Sequence, residues 1–508
     1  MTQEFYITTP IYYVNAKPHI GHAYTSIVAD IFIRFHKLIG DDCYFLTGTD
    51  EHGQKIATSA REKGTSPQEL CDEVSKLFQD LLPELHIEND QFIRTTDESH
   101  KKIVQQALQD VYDKGLIYKK DYSGKYCQGC ERYLDEGDLD EEGCCKDHLN
   151  VPEEVSENNY FFKMSQFQDQ LIQHIEDNPT FITPEQYRNE TLGFLKEPLQ
   201  DMCISRHKDR LTWGVEIPFD TDFVTYVWFD ALLNYCSALG YKGNEKFEKY
   251  WPEVHHLLAK DIVKTHCVYW PTMLMALDIP MPKRFLVHGY WLMEDTKISK
   301  SLGNAVSPLE LKDEVGADPL RYFLAAAMTF GRDANFTMDL FRERYNADLA
   351  NNLGNLVSRS LTLTVKNFDS KIPVASVGEK ENELFSQLQK LWQELVEHIK
   401  NFQLGKAANT IPAMCGFVNR YIDEHEPWKM AKEEDKKEDL ARVLKAQCES
   451  VRFIAGAIQS FMPEISQKIL DCFGLQVPTG PEFFELGVLE EGSEIKKCPP
   501  LFPRISGK

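Results

Sequence analysis

The strongest constraint on the fold lies in the first fifty residues, which have the pattern of a strand, a helix and a second strand. Residues 5–8 form a short β-prone run. From residue 19 to 38, apolar side chains recur at intervals of three and four, the helical period, and Gly40 is placed to end that helix. A second β-prone run covers residues 43–47. Because parallel strands joined by a helix are the unit of an open α/β sheet, we predict an α/β fold with a Rossmann-like parallel sheet.

Composition limits the class of protein. The 508 residues leave room for about three domains. No run of about eighteen apolar residues could span a bilayer, and the first residues do not have the pattern of a signal peptide. Thirteen cysteines are an odd number, and four of them (Cys127, Cys130, Cys144 and Cys145) are clustered. We therefore expect a cytoplasmic protein with one metal site and no membrane contact.

The net charge of −23 counts against a nucleic-acid partner. Nucleic-acid binders usually carry a basic surface, because affinity comes largely from neutralising phosphates. A local basic surface on an acidic protein can still hold a large RNA, so the charge does not exclude one.

Changes in pattern divide the chain into six segments. The first and third carry the two halves of the predicted sheet, and the second is an inserted subdomain that contains the cysteine cluster. A basic loop region, a helical domain and an extended tail follow. The boundaries are 1–115, 116–225, 226–295, 296–345, 346–472 and 473–508.

Two histidines lie where the first strand gives way to the first helix, in the run Pro18-His19-Ile20-Gly21-His22. Unpaired backbone N–H groups and the positive end of the helix dipole favour a phosphate there. His19 and His22 are three residues apart, so both leave the same side of the first turn. Two imidazoles beside an anion can stabilise a phosphoryl group whose charge is redistributing. Gly21 would let a nucleotide approach the backbone.

A basic element follows some 275 residues later, in the run Lys297-Ile298-Ser299-Lys300-Ser301. Two lysines with flanking hydroxyl groups suit a polyphosphate. In this order, and on an α/β framework, the histidine and lysine elements resemble the paired signatures of class I aminoacyl-tRNA synthetases. The resemblance implies that His19, His22, Lys297 and Lys300 are catalytic, and that Gly21, Asp261 and Ser301 contribute to binding ATP with Mg²⁺. It also implies two steps, formation of an aminoacyl-adenylate and transfer of the amino acid to the 3′ end of a tRNA.

The cysteine cluster has the spacing of a zinc knuckle. Cys127 and Cys130 form a Cys-x₂-Cys pair, and Cys145 with His148 forms a second pair of the same spacing. Cys144 is the alternative third ligand. Four protein ligands would close the coordination shell, so we expect a structural Zn²⁺.

Four further segments resemble the methionine enzymes of this class, namely residues 9–15, 47–53, 226–231 and 260–270. The resemblance implies that L-methionine is the substrate and that Asp50 binds its ammonium group. It also implies a methionine pocket with aromatic and apolar walls, which suit a polarizable thioether. The implied wall residues are Ile11, Tyr13, Trp228, Ala231, Tyr235, Ile262, His266 and Trp270.

The helical C-terminal domain resembles the anticodon-binding domain of the same enzymes. Asn355 and Arg359 correspond to residues that face the RNA, and Pro427-Trp428 to the anticodon-stacking tryptophan. An unpaired base can stack on an indole ring and be hydrogen-bonded at its edge by Asn or Arg. The resemblance therefore implies tRNA(Met) as the partner, and we expect a monomer.

Three other functions fit part of this pattern. Another class I synthetase without an editing domain would share the sheet and both signatures. A tRNA-independent adenylyltransferase would lack the helical domain. A non-catalytic zinc and RNA-binding relative would have lost His19, His22 or Lys300, and all three are present.

Overall fold

A computed structural model describes residues 3–15, 17–127, 132–134, 136–146, 149–225, 228–293, 296–297, 307–477 and 480–505. Within these ranges, the centre of the molecule is a sheet of seven strands, all parallel. The predicted parallel α/β fold is confirmed. The strands are Glu4–Thr8, Tyr12–Tyr13, Asp42–Asp50, Gln91–Arg94, Ile182–Thr183, Val254–Ala259 and Arg284–His288.

The first strand, Glu4–Thr8, lies in the middle of this sheet. Asp42–Asp50 pairs with one of its edges and Val254–Ala259 with the other. The strand on one side of Glu4–Thr8 thus follows it closely in sequence, whereas the strand on the other side comes about 250 residues later. Connections leave the carboxyl ends of the two central strands in opposite directions, and the crevice between them is where open α/β sheets bind ligands. The residues after Thr8 and after Ala259 border this crevice.

The first helix, Ile20–Leu38, is buried along most of its length. One side packs on the sheet, and the other contacts the C-terminal helices, where the ring of Phe32 lies 5.2 Å from that of Phe402. Because the helix is buried on two sides, its apolar residues cover more of its surface than the single stripe of an ordinary surface helix. Gly40, the predicted stop, has a φ of +93°, a left-handed conformation that ends the helix at low cost.

Residues 116–225 form mainly antiparallel structure. A ribbon of two long strands, Ile117–Cys127 and Glu153–Phe162, is extended by Arg132–Tyr133 and Met202–Cys203. A second small sheet consists of Ser205–His207, Val215–Glu216 and Phe223–Thr225. The strand Ile182–Thr183 lies in the same segment but pairs with Arg284–His288 at the edge of the central sheet. The inserted segment is thus attached to the sheet at its middle as well as at its ends.

Helices surround the central sheet and the insertion. Those before residue 330 are Gln54–Lys63, Pro67–Glu84, Glu98–Asp113, Gln168–Asp177, Glu185–Phe194, Trp228–Ala231, Asn234–Ser237, Glu245–Tyr250, Trp270–Ala276, Pro308–Val315 and Ala317–Ala326. A π-helical turn, Thr265–Tyr269, precedes Trp270. A further small sheet consists of Trp291–Met293, Thr296–Lys297 and Ala334–Asn335.

The C-terminal region is helical, as predicted. Its helices are Met338–Arg344, Asn355–Asn367, Glu379–Lys400, Leu404–His425, Pro427–Met430, Lys437–Ala457 and Pro463–Asp471, with a π-helical stretch at Tyr345–Gly354. The tail packs back on their start, where Tyr345 Oη donates a hydrogen bond of 2.9 Å to the Pro503 carbonyl. In the part of the chain that the structure describes, no helix is long and apolar enough to cross a membrane.

One buried cation joins the two regions. The Arg321 side chain is fully buried, and its guanidinium donates to Asp30 Oδ2 at 2.6 Å and to the carbonyls of Leu85, Ser460 and Phe461 at 3.1, 2.9 and 3.1 Å. Burial raises the pKa of Asp30, but Arg321 and Arg34 lower it by more, so the carboxylate stays ionised. The first helix and the end of the helical domain therefore share one fully hydrogen-bonded ion cluster.

We predict that Arg321→Met lowers the free energy of unfolding by about 3–5 kcal/mol, because it leaves Asp30 and several buried carbonyls short of a donor. Urea denaturation monitored by circular dichroism measures the change. Arg61→Met, at an exposed position of the helix Gln54–Lys63, is the matched control and should cost less than about 0.5 kcal/mol. Equal losses in the two variants would contradict a role for the Arg321 cluster.

Candidate active site

His19 and His22 together cap the first helix. His19 is the residue before the helix, and its Nδ1 accepts a hydrogen bond of 3.1 Å from the Gly21 N–H. His22 Nδ1 accepts one of 3.2 Å from the His19 N–H, which completes a reciprocal capping box. The two rings stack with centroids 3.8 Å apart. The histidines therefore do locally what Ser and Glu do in an ordinary capping box.

This cap determines the tautomer of both rings. Because each Nδ1 accepts from a backbone N–H, each neutral ring carries its proton on Nε2. The Nε2–H groups of His19 and His22 are then hydrogen-bond donors at the positive end of a helix dipole. Two donors on adjacent, stacked rings form a pair suited to phosphoryl oxygens.

Gly21 is required by the histidine cap itself. A Cβ atom at this position would lie 2.9 Å from Cε1 and 3.1 Å from Nδ1 of His19. Both atoms belong to a ring held by its cap hydrogen bond, so a side chain here would displace the imidazole. The sequence indicated a glycine that makes room for a nucleotide, whereas the contact in the structure is with His19.

A cavity of about 370 Å³ lies at the carboxyl ends of the central strands, and residues 10–15 of its wall precede the capped helix in the chain. It collects eight of the nine residues assigned to methionine, and Asp261, which was assigned to ATP. Five further lining residues were not predicted from the sequence. One of them, Lys55, lies two residues after the motif that contains Asp50, and this position could have indicated it. The lining consists of Pro10, Ile11, Tyr13, Asn15, Asp50, Lys55, Trp228, Ala231, Leu232, Asn234, Tyr235, Asp261, Ile262 and His266.

Asp50 is the last residue of the strand Asp42–Asp50, and its side chain is 8% exposed. The next residue, Glu51, is fully buried and binds Arg94 through Nε at 2.7 Å and Nη2 at 2.9 Å. Trp213 Nε1 also donates to the Glu51 carbonyl. This bidentate pair fixes the chain directly after Asp50, so the position of the Asp50 carboxylate is set by its neighbour.

A tyrosine and a histidine form the polar part of the cavity wall. Tyr235 Oη and His266 Nε2 are 2.8 Å apart, and His266 Nδ1 lies 3.0 Å from the Ile262 carbonyl. Since a carbonyl only accepts, Nδ1 carries the proton and Tyr235 donates to Nε2. Burial lowers the pKa of His266 to about 4, so the ring is neutral at physiological pH.

A buried carboxylate, Asp230, lies behind the wall between two histidines. Its Oδ2 is 2.6 Å from His52 Nδ1, and its Oδ1 is 2.9 Å from His100 Nε2. Burial raises the pKa of Asp230, but the two imidazoles outweigh that effect and lower it to about 2. The sequence motifs that contain Asp230 and His52 were recognised, but their pairing was not.

Trp270, which the resemblance assigns to the methionine pocket, does not border the cavity among the described residues. It is fully buried behind Tyr235, with ring centroids 5.9 Å apart, and its Nε1 donates to His256 Nε2 at 3.2 Å. Trp270 begins the helix Trp270–Ala276, most of whose residues are buried. It therefore supports a lining residue without bordering the space itself.

Several predicted residues fall outside the described part of the chain, namely Lys300, Ser301, Cys130 and His148. Lys297 ends the short strand Thr296–Lys297, which pairs with Trp291–Met293. Cys127 and Cys145 are both buried, in one small cluster with Leu134 and Leu139. Cys144 is only half-buried. The described residues contain no group of three or more metal-ligating side chains.

The residues assigned to RNA converge on one surface of the helical domain. The guanidinium carbon of Arg359 lies 5.1 Å from the centre of the Trp428 ring, and Arg359 Nη2 donates to Asp423 Oδ1 at 2.8 Å. Asn355 lies exposed one turn before Arg359 on the helix Asn355–Asn367. Pro427 is buried and starts the short helix that carries Trp428. An amide, a cation and an indole are thus grouped together.

Comparison with known proteins places this geometry in a family. The chain matches the family model described as tRNA synthetases class I (M) over residues 5–149 and 138–361. It matches the model described as the anticodon binding domain of methionyl tRNA ligase over residues 372–508.

Individual relatives agree. The chain is 45% identical to methionine–tRNA ligases of Caldanaerobacter subterraneus and Clostridium acetobutylicum, over 99% of its length and 79% and 78% of theirs. It is 37% identical to the solved Mycobacterium tuberculosis methionyl-tRNA synthetase in complex with methionyl-adenylate, with a TM-score of 0.94 over 99% of this chain and 100% of that one. The chain therefore belongs to the methionine–tRNA ligase family of class I tRNA synthetases.

Proposed function

We propose that this chain is a methionine–tRNA ligase, which activates L-methionine with ATP and transfers the methionyl group to tRNA(Met). The observation that carries the proposal is the cavity at the carboxyl ends of the central strands. It presents a carboxylate, Asp50, and an apolar and aromatic wall. The segment that follows the first strand contributes to this wall and then leads into a helix N-terminus capped by His19 and His22, a place that favours a phosphate. A zwitterionic amino acid with a long apolar side chain matches this arrangement.

The cavity can distinguish the two ends of methionine. The ammonium group suits the Asp50 carboxylate, whose pairing with a cation in a mostly buried place is favourable. The thioether suits the rings of Trp228, Tyr235 and His266, because sulfur makes favourable contacts with aromatic edges. His266 is neutral, so it adds no charge to this part of the wall that would favour a polar amino acid.

The reaction that follows needs positioning and charge stabilisation. A carboxylate oxygen of methionine attacks the α-phosphorus of ATP, the bond to pyrophosphate breaks, and methionyl-adenylate forms. The Nε2–H groups of His19 and His22 would donate to phosphoryl oxygens as their charge shifts. ATP would enter with Mg²⁺. Lys297 and Lys300 would neutralise charge on its phosphates, and the Ser301 hydroxyl would donate a hydrogen bond to them. A hydroxyl at the tRNA 3′ end then attacks the methionyl carbonyl, and AMP leaves.

The helical domain would recognise the anticodon. Trp428 offers a face on which an unpaired base can stack, and Asn355 and Arg359 can hydrogen-bond base edges. The Asp423 carboxylate holds the Arg359 guanidinium beside the Trp428 ring before RNA arrives. A local site of this kind reconciles an RNA partner with the net charge of −23.

The cysteine cluster fits a structural Zn²⁺ near the tip of the antiparallel ribbon. Cys127 is the last residue of the strand Ile117–Cys127, and it shares a small apolar cluster with Cys145. Buried thiols beside apolar side chains suit a closed zinc site, in which Cys130 and His148 would be the other ligands. When bound, the metal would crosslink the segments around residues 127 and 145. The cytoplasmic location and the monomeric state stay predictions.

We expect ATP–pyrophosphate exchange to depend on methionine when all twenty amino acids are compared. His22→Ala should lower kcat for this exchange by roughly a hundredfold, because it removes one phosphoryl donor and half of the helix cap. His207→Ala, at a position with 42% of its side chain exposed, is the control and should leave exchange unchanged. Dependence on another amino acid would favour a different class I synthetase, and exchange without any would refute the proposal.

We expect Trp428→Ala to spare the exchange reaction and to lower kcat/KM for tRNA(Met) by roughly 10- to 100-fold, the loss expected for one stacked base. Aminoacylation measured at several tRNA concentrations provides the value. Trp428→Phe retains an aromatic face and should recover most of the activity. A parallel loss of exchange, or unchanged aminoacylation, would rule out an anticodon role for Trp428. Absence of aminoacylation in the unaltered chain would favour a tRNA-independent adenylyltransferase.

Elemental analysis of the purified protein should find about one zinc per chain. Cys127→Ser should abolish this zinc, whereas Cys203→Ser, in the same inserted segment, should retain it. Cys145→Ser and Cys144→Ser separate the two candidates for the third ligand, because only the true ligand should lower zinc content. Metal-free wild-type protein would contradict the zinc site without affecting the proposed reaction.

A further inference from the structure

Asp230 is not among the described residues that line the cavity, whereas Trp228 and Ala231, which precede and follow it in the same helix, are. It lies in the short helix Trp228–Ala231, whose first and last residues line the cavity. Its side chain is fully buried and points away, towards His52 and His100. Any displacement of this carboxylate would therefore move the segment that carries Trp228 and Ala231.

The first histidine connects Asp230 to the opposite wall. His52 is two residues after Asp50, and its Nδ1 is bound to Asp230 Oδ2 at 2.6 Å across 178 positions of sequence. Tyr13, another lining residue, donates to the His52 carbonyl at 3.4 Å. The Asp230–His52 hydrogen bond thus joins two parts of the cavity wall, namely the segment that follows the strand ending at Asp50 and the helix that begins at Trp228.

The second histidine connects Asp230 to the third part of the wall. His100 Nδ1 is 2.7 Å from Ser237 Oγ, and Ser237 Oγ is 3.2 Å from the Asn234 carbonyl. Asn234 lines the cavity and donates from Nδ2 to the Ala231 carbonyl at 2.7 Å. This series of hydrogen bonds, from Asp230 through His100, Ser237 and Asn234, therefore ends at the last residue of the Trp228–Ala231 helix.

We infer that Asp230 is a positioning residue for methionine. Through His52 and His100 it holds the three wall segments, around residues 50, 228–231 and 234–235, at the spacing that fits the amino acid. This inference rests on the proposed function and adds a specificity determinant that does not touch the substrate. Both carboxylate oxygens accept from imidazole N–H groups, so the group must remain an anion with two acceptors.

The test is Asp230→Asn, which keeps the shape but replaces one acceptor oxygen by an NH₂ donor. One imidazole then loses its partner, and we expect the KM for methionine in ATP–pyrophosphate exchange to rise by roughly 10- to 100-fold. The KM for ATP should change by less than about twofold, because the hydrogen bonds of the histidine cap join His19, Gly21 and His22 to one another.

A matched control separates positioning from general stability. Asp318 is also a buried aspartate paired with a histidine, His86, at 2.8 Å, but it lies in the helix Ala317–Ala326, away from the cavity. Asp318→Asn should lower the free energy of unfolding comparably and leave the KM for methionine unchanged. Equal effects of the two variants on this KM would overturn the inference.

A second pair of variants keeps the test decisive if Asp230→Asn does not fold. His52→Ala removes one bond only and should also raise the KM for methionine. His52→Asn, whose amide N–H can replace Nδ1–H, should restore it to within about threefold. If the unaltered chain shows no methionine-dependent exchange, the proposed function fails. If it does show such exchange and the KM for methionine is unchanged in these variants, only the role of Asp230 fails.

Discussion

The buried guanidinium of Arg321 holds the two halves of the molecule in one arrangement. It binds Asp30 of the first helix, a loop that follows the helix Pro67–Glu84, and the carbonyls at 460 and 461 beyond the helix Lys437–Ala457. Taking an ion pair out of water is costly, and here the hydrogen bonds from the guanidinium to Asp30 and to the carbonyls offset the cost. Because the same helix begins at the histidine cap, the Arg321 cluster and the packing of Phe32 on Phe402 together orient the cap relative to the helical domain.

The sheet topology decides where the chemistry can occur. The central strand, Glu4–Thr8, has one neighbour on each side. The connections that follow the central strands leave their carboxyl ends in opposite directions, and a crevice remains between them. The cap follows that strand, Asp50 ends its neighbour on one side, and Asp261 follows its neighbour on the other. Residues from three distant stretches of sequence thus meet without any long loop having to reach inwards.

The features that could be predicted from the sequence are those encoded by short stretches of it, such as helical periodicity and a glycine at a helix end. The first helix and its stop at Gly40 follow from periodicity and from one residue that tolerates a positive φ, and the C-terminal helices follow from periodicity alone. Trp270 could not be placed, because an aromatic residue has the same pattern in a cavity wall and one layer behind it. The edge strand Ile182–Thr183 is only two residues long, and the pairing of His52 with Asp230 depends on tertiary structure that no local pattern encodes.

The double use of the two N-terminal histidines couples catalysis to the integrity of a secondary-structure end. Each ring accepts a backbone N–H at Nδ1, and its Nε2 carries the proton that the proposed phosphate site would use. A side chain at either position has to accept through one atom and donate through another, so the helix cap and the proposed phosphate site place their requirements on the same two residues. A substitution of His19 or His22 that keeps only one of these functions would therefore disturb either the start of the helix or the proposed phosphate site.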